Sequence, residues 1–473
     1  MREPPRPSTS TRPTTSSNED GDCSLREAIV SANGNVQIDD CEKGEDADII
    51  VIPAGTYVLS IPSANVGDNQ EHGDLDIRDH VTLKGAGAST TTVDADGISR
   101  VFDVGGDITV LIEGLTVTGG DVDQEIDDES NDGGGIESDG TLTLRDSVVT
   151  ANKAGFSGGG IDSDNEGSSL RLERSVVSNN TAGYEGGGIR QDNSYTSIAV
   201  IDSTVSANTA GRGGGIHIDN GSEVTIDGST ISGNTATGDL EGIDRFRGGG
   251  FDCGTGGGYN QDGSGEDDFL VTTTITNTTV SGNTAQCGGG GLHVQGTTDL
   301  TNVTVTANSS PDAGNVAAQA SEGTTKTLVN TIVAQPTLGT DCLGALVSGG
   351  GNIQSDDTCG FDEESDQTVA DVMLGALASN GGSTQTHLPQ TGSPAIDTAL
   401  DEPCLDDDQR GIARPQDGDD DGTATCDVGA VEVVYTPEET TTTTADDGVD
   451  DSQQTQTQTP AAQPTVARPT FTG

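Results

Sequence analysis

The stretch STVSANTAGRGGGI at residues 203–216 decides the fold, because variants of it recur through the middle of the chain. Its first half is a β-branched segment that ends in Asn, and its second half is a Gly triplet followed by an apolar residue. Successive segments are 28, 28, 26, 49 and 25 residues apart, and the spacing of 49 is one repeat plus an insertion at residues 237–268. The segments end at Asn152, Asn180, Asn208, Asn234, Asn283 and Asn308.

Each repeat contains short runs in which apolar residues alternate with polar ones, a pattern typical of short strands and not of helices. A unit of this length cannot form its own core, but each strand can pair with its equivalent one repeat away, at about 4.8 Å. The repeats therefore predict an all-β fold, a right-handed parallel β-helix (solenoid) with capped ends and disordered termini. It would span residues 46–334 in about eleven coils. We expect the recurring Asn residues to lie at coil corners, adopt a left-handed conformation and bond to one another, a structural role and not ligand contact.

The charge limits the possible partners. The 473 residues include 78 acidic and 20 basic side chains, which gives a formal charge of −58. Such a field repels nucleic acid and anionic lipid, and no segment approaches the roughly 18 apolar residues of a membrane helix. Aromatic residues are 3% of the chain, too few for a base-stacking surface. A polysaccharide or cell-surface glycan is a partner class that this charge permits, and the oligomeric state stays open.

The acidic, Lys-poor composition also predicts salt-dependent stability. It is similar to that of extreme halophiles, so we expect a haloarchaeal source. Concentrated salt shortens the Debye length to about 3 Å and screens repulsion between carboxylates. The melting temperature should therefore fall as salt is lowered from roughly molar to millimolar. An unchanged melting temperature over that range would contradict this prediction.

Eight cysteines indicate an oxidising compartment. They contain no CxxC pair, which argues against zinc, and their even number favours disulfides in an extracellular or cell-surface protein. Residues 1–20 read as a disordered leader without the apolar core of a signal peptide, and residues 434–473 as a disordered Thr/Gln/Pro-rich stalk without an anchor. The connectivity stays open, although the cysteines fall in sequential couples: Cys23 with Cys41, Cys253 with Cys287, Cys342 with Cys359, and Cys404 with Cys426.

Three segments resemble known families. CSLREAI at residues 23–29 resembles the CSLREA-type N-terminal module of secreted β-helix proteins. The GGGI and Asn repeats resemble the polymorphic outer-membrane protein and pectate-lyase-like β-helix families. GSPAID at 392–397, DQRG at 408–411 and CDVGAVE at 426–432 resemble the choice-of-anchor Q domain. These resemblances imply an exported protein in which residues 21–45 form an N-terminal cap and residues 335–433 a C-terminal module that closes the other end.

The strand after each Gly triplet carries the candidate catalytic residues. Alternation points Ile161 and Ser163 inward, so stacked coils build an outward acidic ladder. Stacked carboxylates raise one another's pKa and attract divalent cations. The resemblance to pectate-lyase-like and polygalacturonase-like enzymes implies acidic residues beside an Arg or His, with Asp162, Asp164, Arg190, His217 and Asp219 as the candidates. The alternative is a solvated acidic face. The other expected members of this outward acidic ladder are Glu137, Asp139, Asp192, Asp252 and His293.

A second acidic constellation, DGDDDG at residues 417–422, resembles the start of a calcium loop. Carboxylates at positions 1, 3 and 5 with Gly at position 6 suit Ca²⁺, although position 12 is Val428 and not Glu. The expected ligands are Asp417, Asp419, Asp421 and Asp427, and the alternative is an acidic turn without an ion.

These observations favour a non-enzymatic extracellular or cell-surface β-helix protein with a structural or adhesive role. The alternative is a polysaccharide lyase or glycoside hydrolase that acts along an acidic groove of the β-helix. The sequence does not decide between them, because it gives no means of separating a catalytic Asp from the other acidic residues.

Overall fold

The structure is a computed structural model that describes residues 21–62, 73–122, 131–193, 195–238, 255–261 and 271–435, together with the backbone of residues 7–9. The remainder of the expected leader, and the expected stalk beyond residue 435, lie outside the described residues. So do Asp252, Cys253 and most of the insertion at residues 237–268. Within the described part, no helix is long and apolar enough to cross a membrane.

The predicted parallel β-helix is confirmed. Equivalent strands of successive coils pair in parallel and in register, as Leu142, Leu170 and Ile198 do. Ten strands of sheet 1 fall within residues 46–334, close to the expected number of about eleven coils. Sheet 1 contains Pro7–Thr9, Asp48–Ile52, Val81–Gly85, Thr109–Glu113, Thr141–Arg145, Ser169–Glu173, Ser197–Ile201, Glu223–Asp227, Thr272–Thr276, Thr297–Thr301, Lys326–Val329 and Val347–Ser348.

Sheets 2 and 3 complete each coil. Sheet 2 contains Gly55–Val58, Thr91–Asp94, Thr116–Thr118, Val148–Thr150, Val176–Ser178, Thr204–Ser206, Thr230–Ser232, Thr279–Ser281, Thr304–Thr306, Ile332–Ala334, Ile353–Gln354 and Gln367–Thr368. Sheet 3 contains Leu75–Ile77, Phe102–Val104, Ile136–Ser138, Lys153–Ala154, Ile161–Ser163, Thr181–Ala182, Ile189–Gln191, Thr209–Ala210, Ile216–Ile218, Thr235–Ala236, Tyr259–Gln261, Thr284–Ala285, Leu292–Val294, Ser309–Ala318 and Leu338–Gly344.

The core is a narrow stack of aliphatic side chains. In one coil, Leu142 and Leu144 from sheet 1, Val149 from sheet 2 and Ile161 from sheet 3 are all buried. Each such side chain contributes about 1.5–3 kcal/mol by leaving water. This repeated burial explains how a chain with few aromatic residues stabilises a long fold.

Close backbone packing requires the Gly triplets. A Cβ on Gly187 would lie 2.4 Å from the carbonyl oxygen of Gly214, and one on Gly188 would lie 2.6 Å from that of Gly215. Gly186 has a φ of +63° and sits over the side chain of Arg190. The triplet is therefore a tight turn that covers the outer face of the strand after it.

The recurring asparagines form a buried hydrogen-bonded ladder. Asn208 Oδ1 accepts from the backbone N–H and the Nδ2 of Asn180, at 2.9 and 3.0 Å. Asn208 Nδ2 donates to the carbonyl of Val177 and to Asn234 Oδ1, both at 3.0 Å. The same pattern joins Asn152 to Asn180, Asn234 to Asn283, and Asn283 to Asn308.

The left-handed conformation lies one residue earlier than we expected. The ladder asparagines do not have positive φ, whereas the preceding Ala151, Asn179 and Ala207 have φ of +56°, +56° and +55°. This one-residue offset leaves the ladder side chains pointing into the coil, where they replace solvent as partners for the backbone.

A helix closes the N-terminal end. Helix α1, Leu25–Gly34, begins with a capping box between Ser24 and Glu27. Its Leu25 and Ile29 join the solenoid core, and Arg26 donates to the carbonyls of Gly73 and Asp74. The helix thus covers the first coil and binds its otherwise open backbone.

The C-terminal region has two parts. Residues 355–366 cross the last coil, where Thr358 Oγ1 accepts from the Cys342 N–H at 3.0 Å and Phe361 joins the core. Residues 372–433 instead lie along the outer face of sheet 2. Gln409 Oε1 accepts from Thr279 Oγ1 at 2.6 Å, and Ser281 Oγ lies 2.7 Å from His387 Nε2. The expectation that the whole of 335–433 closes the end is therefore corrected, because strand pairing and the cap end near residue 368.

The disulfide prediction is supported. Cys23–Cys41, Cys342–Cys359 and Cys404–Cys426 are bonded, and the described cysteines include no free thiol. Cys287 is also disulfide-bonded, and its expected partner Cys253 lies outside the described residues. Cys342–Cys359 joins strand Leu338–Gly344 to the segment that crosses the last coil, whereas Cys23–Cys41 and Cys404–Cys426 each lie within one terminal region.

Candidate functional site

The central residues of successive sheet 3 strands form one column along the β-helix, which we call the charged seam. They face away from the core, as the alternation predicted, and they stack in register. The seam comprises Asp76, Asp103, Glu137, Asp162, Arg190, His217, Asn260 and His293.

The middle of the charged seam is buried. Asp162 and His217 are 0% exposed and Arg190 is 9% exposed. The cause is the Gly-triplet turn, which folds over the strand: a Cβ on Gly158 would lie 2.5 Å from Asp162 Cβ, and one on Gly213 2.7 Å from His217 Cβ. The expected solvated face or open groove is thus corrected at these three residues.

Arg190 is held among carboxylates. Its Nη1 lies 3.3 Å from Asp162 and 3.8 Å from Asp164, and its Nη2 donates to Asp192 at 2.5 Å. Its Nε lies 3.7 Å from Glu185. Burial lowers the pKa of Arg190, but these charges outweigh it and raise the pKa above the ordinary value. Arg190 is therefore a fixed cation and not a base.

His217 is the second buried cation. Its Nε2 lies 3.1 Å from Asp219 and 3.6 Å from Glu185, and Asn260 Nδ2 lies 3.0 Å from its Nδ1. Burial lowers the pKa of His217, but Glu185 and Asp219 outweigh it and raise the pKa to about 9. Both ring nitrogens of the imidazolium are donors, so Asn260 must turn Oδ1 and not Nδ2 towards Nδ1. The two orientations of the amide have the same shape, so the flip fits the same space.

We predict that protonated His217 stabilises the fold below pH 9. Its pKa rises from 6.5 to about 9 on folding, so the stabilisation is full below about pH 6.5 and is lost as the pH rises through 9. The free energy of unfolding should fall by on the order of 3 kcal/mol over this interval. Denaturant titrations of the wild type and His217→Gln test this, and an equal pH slope in both proteins would contradict it.

Three carboxylates meet beside Arg190. Asp132, Asp162 and Asp164 each place one oxygen within 4.8 Å of the others. Burial is the largest effect on Asp132 and Asp162, and it raises the pKa of Asp132 to about 6 and that of Asp162 well above its usual range. The arrangement stabilises a proton or a cation between the carboxylates, because one Arg does not neutralise three acids.

Sequence reasoning missed the residues that complete the seam. Asp132, Glu185 and Arg212 each lie directly before a Gly triplet, and Glu185 and Arg212 pair across coils at 3.7 Å. The signal was their fixed place in the repeat, five residues before a seam residue. Thr255 occupies the same place, and its Oγ1 lies 2.9 Å from the Asn260 side-chain amide.

An aromatic stack runs beside the seam. The rings of Phe156 and Tyr184 lie 5.1 Å apart at 24°, and the Arg212 guanidinium lies 5.5 Å from the Tyr184 centroid. All three side chains are half-buried. Phe156 and Arg212 both lie against the Tyr184 ring, which leaves less of that ring available to a ligand.

The expected calcium ligands separate. Asp417 and Asp419 lie with Asp397, each placing one oxygen within 4.8 Å of the others. Asp421 accepts from the Thr423 N–H at 2.7 Å instead. Asp427 is buried and accepts from the Asp397 N–H at 2.7 Å, and burial, with help from Glu432, raises its pKa to about 7. The fold thus brings together two of the four expected residues and adds Asp397.

Comparison with known proteins agrees with this architecture. The sheets and caps define a parallel β-helix of the pectate-lyase-like type. The crystal structure of pectate lyase Pel9A has the same fold, with a TM-score of 0.52 and 13% sequence identity over 91% of this chain and 97% of that chain. At this identity the similarity shows the fold alone. No protein-family model and no curated protein matches the sequence. The CSLREA, choice-of-anchor Q and haloarchaeal assignments therefore remain predictions.

Proposed function

We propose that this protein is a non-enzymatic extracellular or cell-surface β-helix protein with a structural or adhesive role. The observation that carries the proposal is the burial of the residues that would otherwise be catalytic. Asp162 and His217 have no exposed surface, and the Arg190 charge is already shared among four carboxylates. A polymer on the surface does not reach these groups without opening the Gly-triplet turns.

The protonation states support the same proposal. A lyase needs a base that is unprotonated at the working pH. His217, with a pKa of about 9, is charged at neutral pH, and the pKa of Arg190 is raised further still. Neither residue is suited to remove a proton from a sugar, whereas both are suited to neutralise buried carboxylates.

Extracellular location is part of the proposal. Disulfides persist in oxidising compartments, and the bonded couples support such a location. We propose a polysaccharide or cell-surface glycan as the partner, supported by the shared fold with a protein titled pectate lyase. The field of 78 acidic residues disfavours nucleic acid as an alternative.

The second candidate is a polysaccharide lyase or hydrolase. It is favoured by the shared fold with a protein titled pectate lyase, and by the cluster of Asp132, Asp162 and Asp164. The raised pKa values of Asp132 and Asp162 suit an acid or a bound cation. Asp164 is 35% exposed and is the member that a substrate would meet first.

One experiment separates the two candidates. Purified protein in molar salt is applied to a glycan array and incubated with the same polysaccharides, including pectate, with and without Ca²⁺. Saturable binding without new reducing ends or unsaturated products supports the adhesive role. Product formation that Asp162→Asn abolishes supports the enzyme, and absence of both binding and product rejects both candidates.

We also propose that the Asp397, Asp417 and Asp419 cluster binds Ca²⁺. Millimolar Ca²⁺ should raise the melting temperature, since an ion at 100 times its Kd adds about 2.7 kcal/mol to the free energy of unfolding. The increase should disappear in Asp417→Asn and persist in the matched control Asp421→Asn, measured against NaCl of equal ionic strength. An equal increase in both variants would indicate charge screening and would contradict the site.

A further inference from the structure

The fold sorts the five Asn-x-Ser/Thr sequons into buried and accessible ones. All five lie within the described residues. Asn302 and Asn308 are 0% exposed and Asn277 is 6% exposed, so a glycan on any of these amides is incompatible with the folded coil. Asn308 is also a member of the asparagine ladder. The sequon asparagines are Asn179, Asn220, Asn277, Asn302 and Asn308.

Asn179 is the exposed asparagine of this set. It occupies the corner position before a ladder Asn, with a φ of +56°. The residues stacked directly before and after it at this corner are Ala151 and Ala207, which are exposed and small. Backbone bonds from Ala151 N–H to Ser178 and from Asn179 N–H to Ser206 fix this stacking. The side chain of Asn179 therefore has free space on both sides along the coil axis.

The amide of Asn179 is available for modification. Its Nδ2 donates to Ser178 Oγ at 3.3 Å, an exposed contact that uses one of its two hydrogens. A glycosylated Nδ2 keeps one hydrogen and so keeps this bond. Asn220 differs, because it is half-buried and its Nδ2 donates to Asp192 Oδ1 at 2.8 Å, beside Arg190.

We propose that Asn179 is an N-glycosylation site, an inference that rests on the proposed extracellular location. The donor is an oligosaccharide carried on a phosphate leaving group, and an enzyme of the exporting cell transfers it. The bond between the anomeric carbon and the phosphate oxygen breaks, and a bond between the anomeric carbon and Nδ2 forms. Nδ2 loses one proton, and the phosphate departs as an anion. The glycan then projects from an exposed coil corner.

The test uses the full protein recovered from its own cells. Trypsin cleavage after Arg174 and Arg190 gives the peptide 175–190, whose mass reports a glycan on Asn179. Thr181→Val keeps the shape of the residue and removes the sequon, and Thr181→Ser is the matched control that keeps it. Cell fractionation is carried out on the same samples.

We expect a mass increase on peptide 175–190 in the wild type and Thr181→Ser, with loss of the increase in Thr181→Val. An unmodified peptide in protein recovered outside the cell overturns the glycosylation proposal and leaves the adhesive role standing. A glycan on Asn302 or Asn308 of folded protein overturns the accessibility argument. Protein confined to the cell interior overturns the proposed location as well.

Discussion

Asn208→Ala should lower the free energy of unfolding by roughly 4–6 kcal/mol. The substitution removes four hydrogen bonds made by a side chain that is 0% exposed. It also leaves the Asn180 N–H and the Val177 carbonyl buried without this partner, whereas Asn234 Oδ1 keeps the bond from the Asn208 backbone N–H. Buried polar groups that lose a partner cost more than the bond itself contributes, which makes the effect large.

Asn179→Ala is the matched control for this prediction. It changes the neighbouring residue, which is exposed, to the residue already present at the same corner in the coils before and after it. We expect a change within about 1 kcal/mol. Denaturant titration of the two variants measures the difference, and glycan binding by Asn208→Ala below its melting temperature should match the wild type. Equal stability of the two variants would show that the ladder is not a principal stabilising element.

Arg190→Met should lower the free energy of unfolding by roughly 3–5 kcal/mol at neutral pH. The substitution leaves the buried Asp162 and the half-buried Asp192 without their cation. Glu185 keeps Arg212 and His217 as cationic neighbours. Because the pKa of Asp162 is already raised by burial, loss of the Arg raises it further. The loss should therefore shrink as the pH falls and protons replace the missing cation.

Arg171→Met is the control for the Arg190 substitution. Arg171 also pairs with a carboxylate, Glu173 at 2.6 Å, but its side chain is 48% exposed. Exposed pairs contribute at most about 1 kcal/mol, so this variant should differ little from the wild type at any pH. Comparable losses of free energy of unfolding in the two variants would mean that the charged seam is solvated, and would contradict its burial.

The fold was predictable because its signals are local and repeated. The spacing of the ladder asparagines and Gly triplets sets the coil length, and alternation sets which residues face the core. These features depend on the period of the sequence and on backbone geometry, and they needed no long-range information. The same period also located the charged column that contains Asp162, Arg190 and His217.

Burial of that column was not predictable from alternation. Alternation predicts that Asp162 points away from the core. Whether solvent reaches its side chain depends on the backbone path of the preceding turn. That path follows from the left-handed conformation of Gly158 and its contact with Asp162. The neighbouring residues Asp132 and Glu185 also escaped notice, because a single acidic residue before a Gly triplet is unremarkable in so acidic a chain.

The arrangement of the C-terminal region escaped prediction because it depends on distant contacts. Asp397 precedes Asp417 and Asp419 by some twenty residues. The backbone N–H groups of Gly418 and Asp419 each donate to its Oδ2 at 3.0 Å. Gln409 reaches the carbonyl of Ser229 at 2.9 Å, 180 residues earlier in the chain. No spacing rule links such pairs, so sequence reasoning placed this region at the end of the β-helix instead of along its side.

The most direct test of the central claim, that the charged seam stabilises the fold and catalyses nothing, compares wild type and His217→Gln on a polysaccharide panel. Reducing ends and unsaturated products are measured in molar salt at a temperature where both proteins are folded, alongside their free energies of unfolding. The account predicts no product from either protein and a variant that is less stable by on the order of 3 kcal/mol at neutral pH. Product from the wild type that disappears in the folded variant would contradict it.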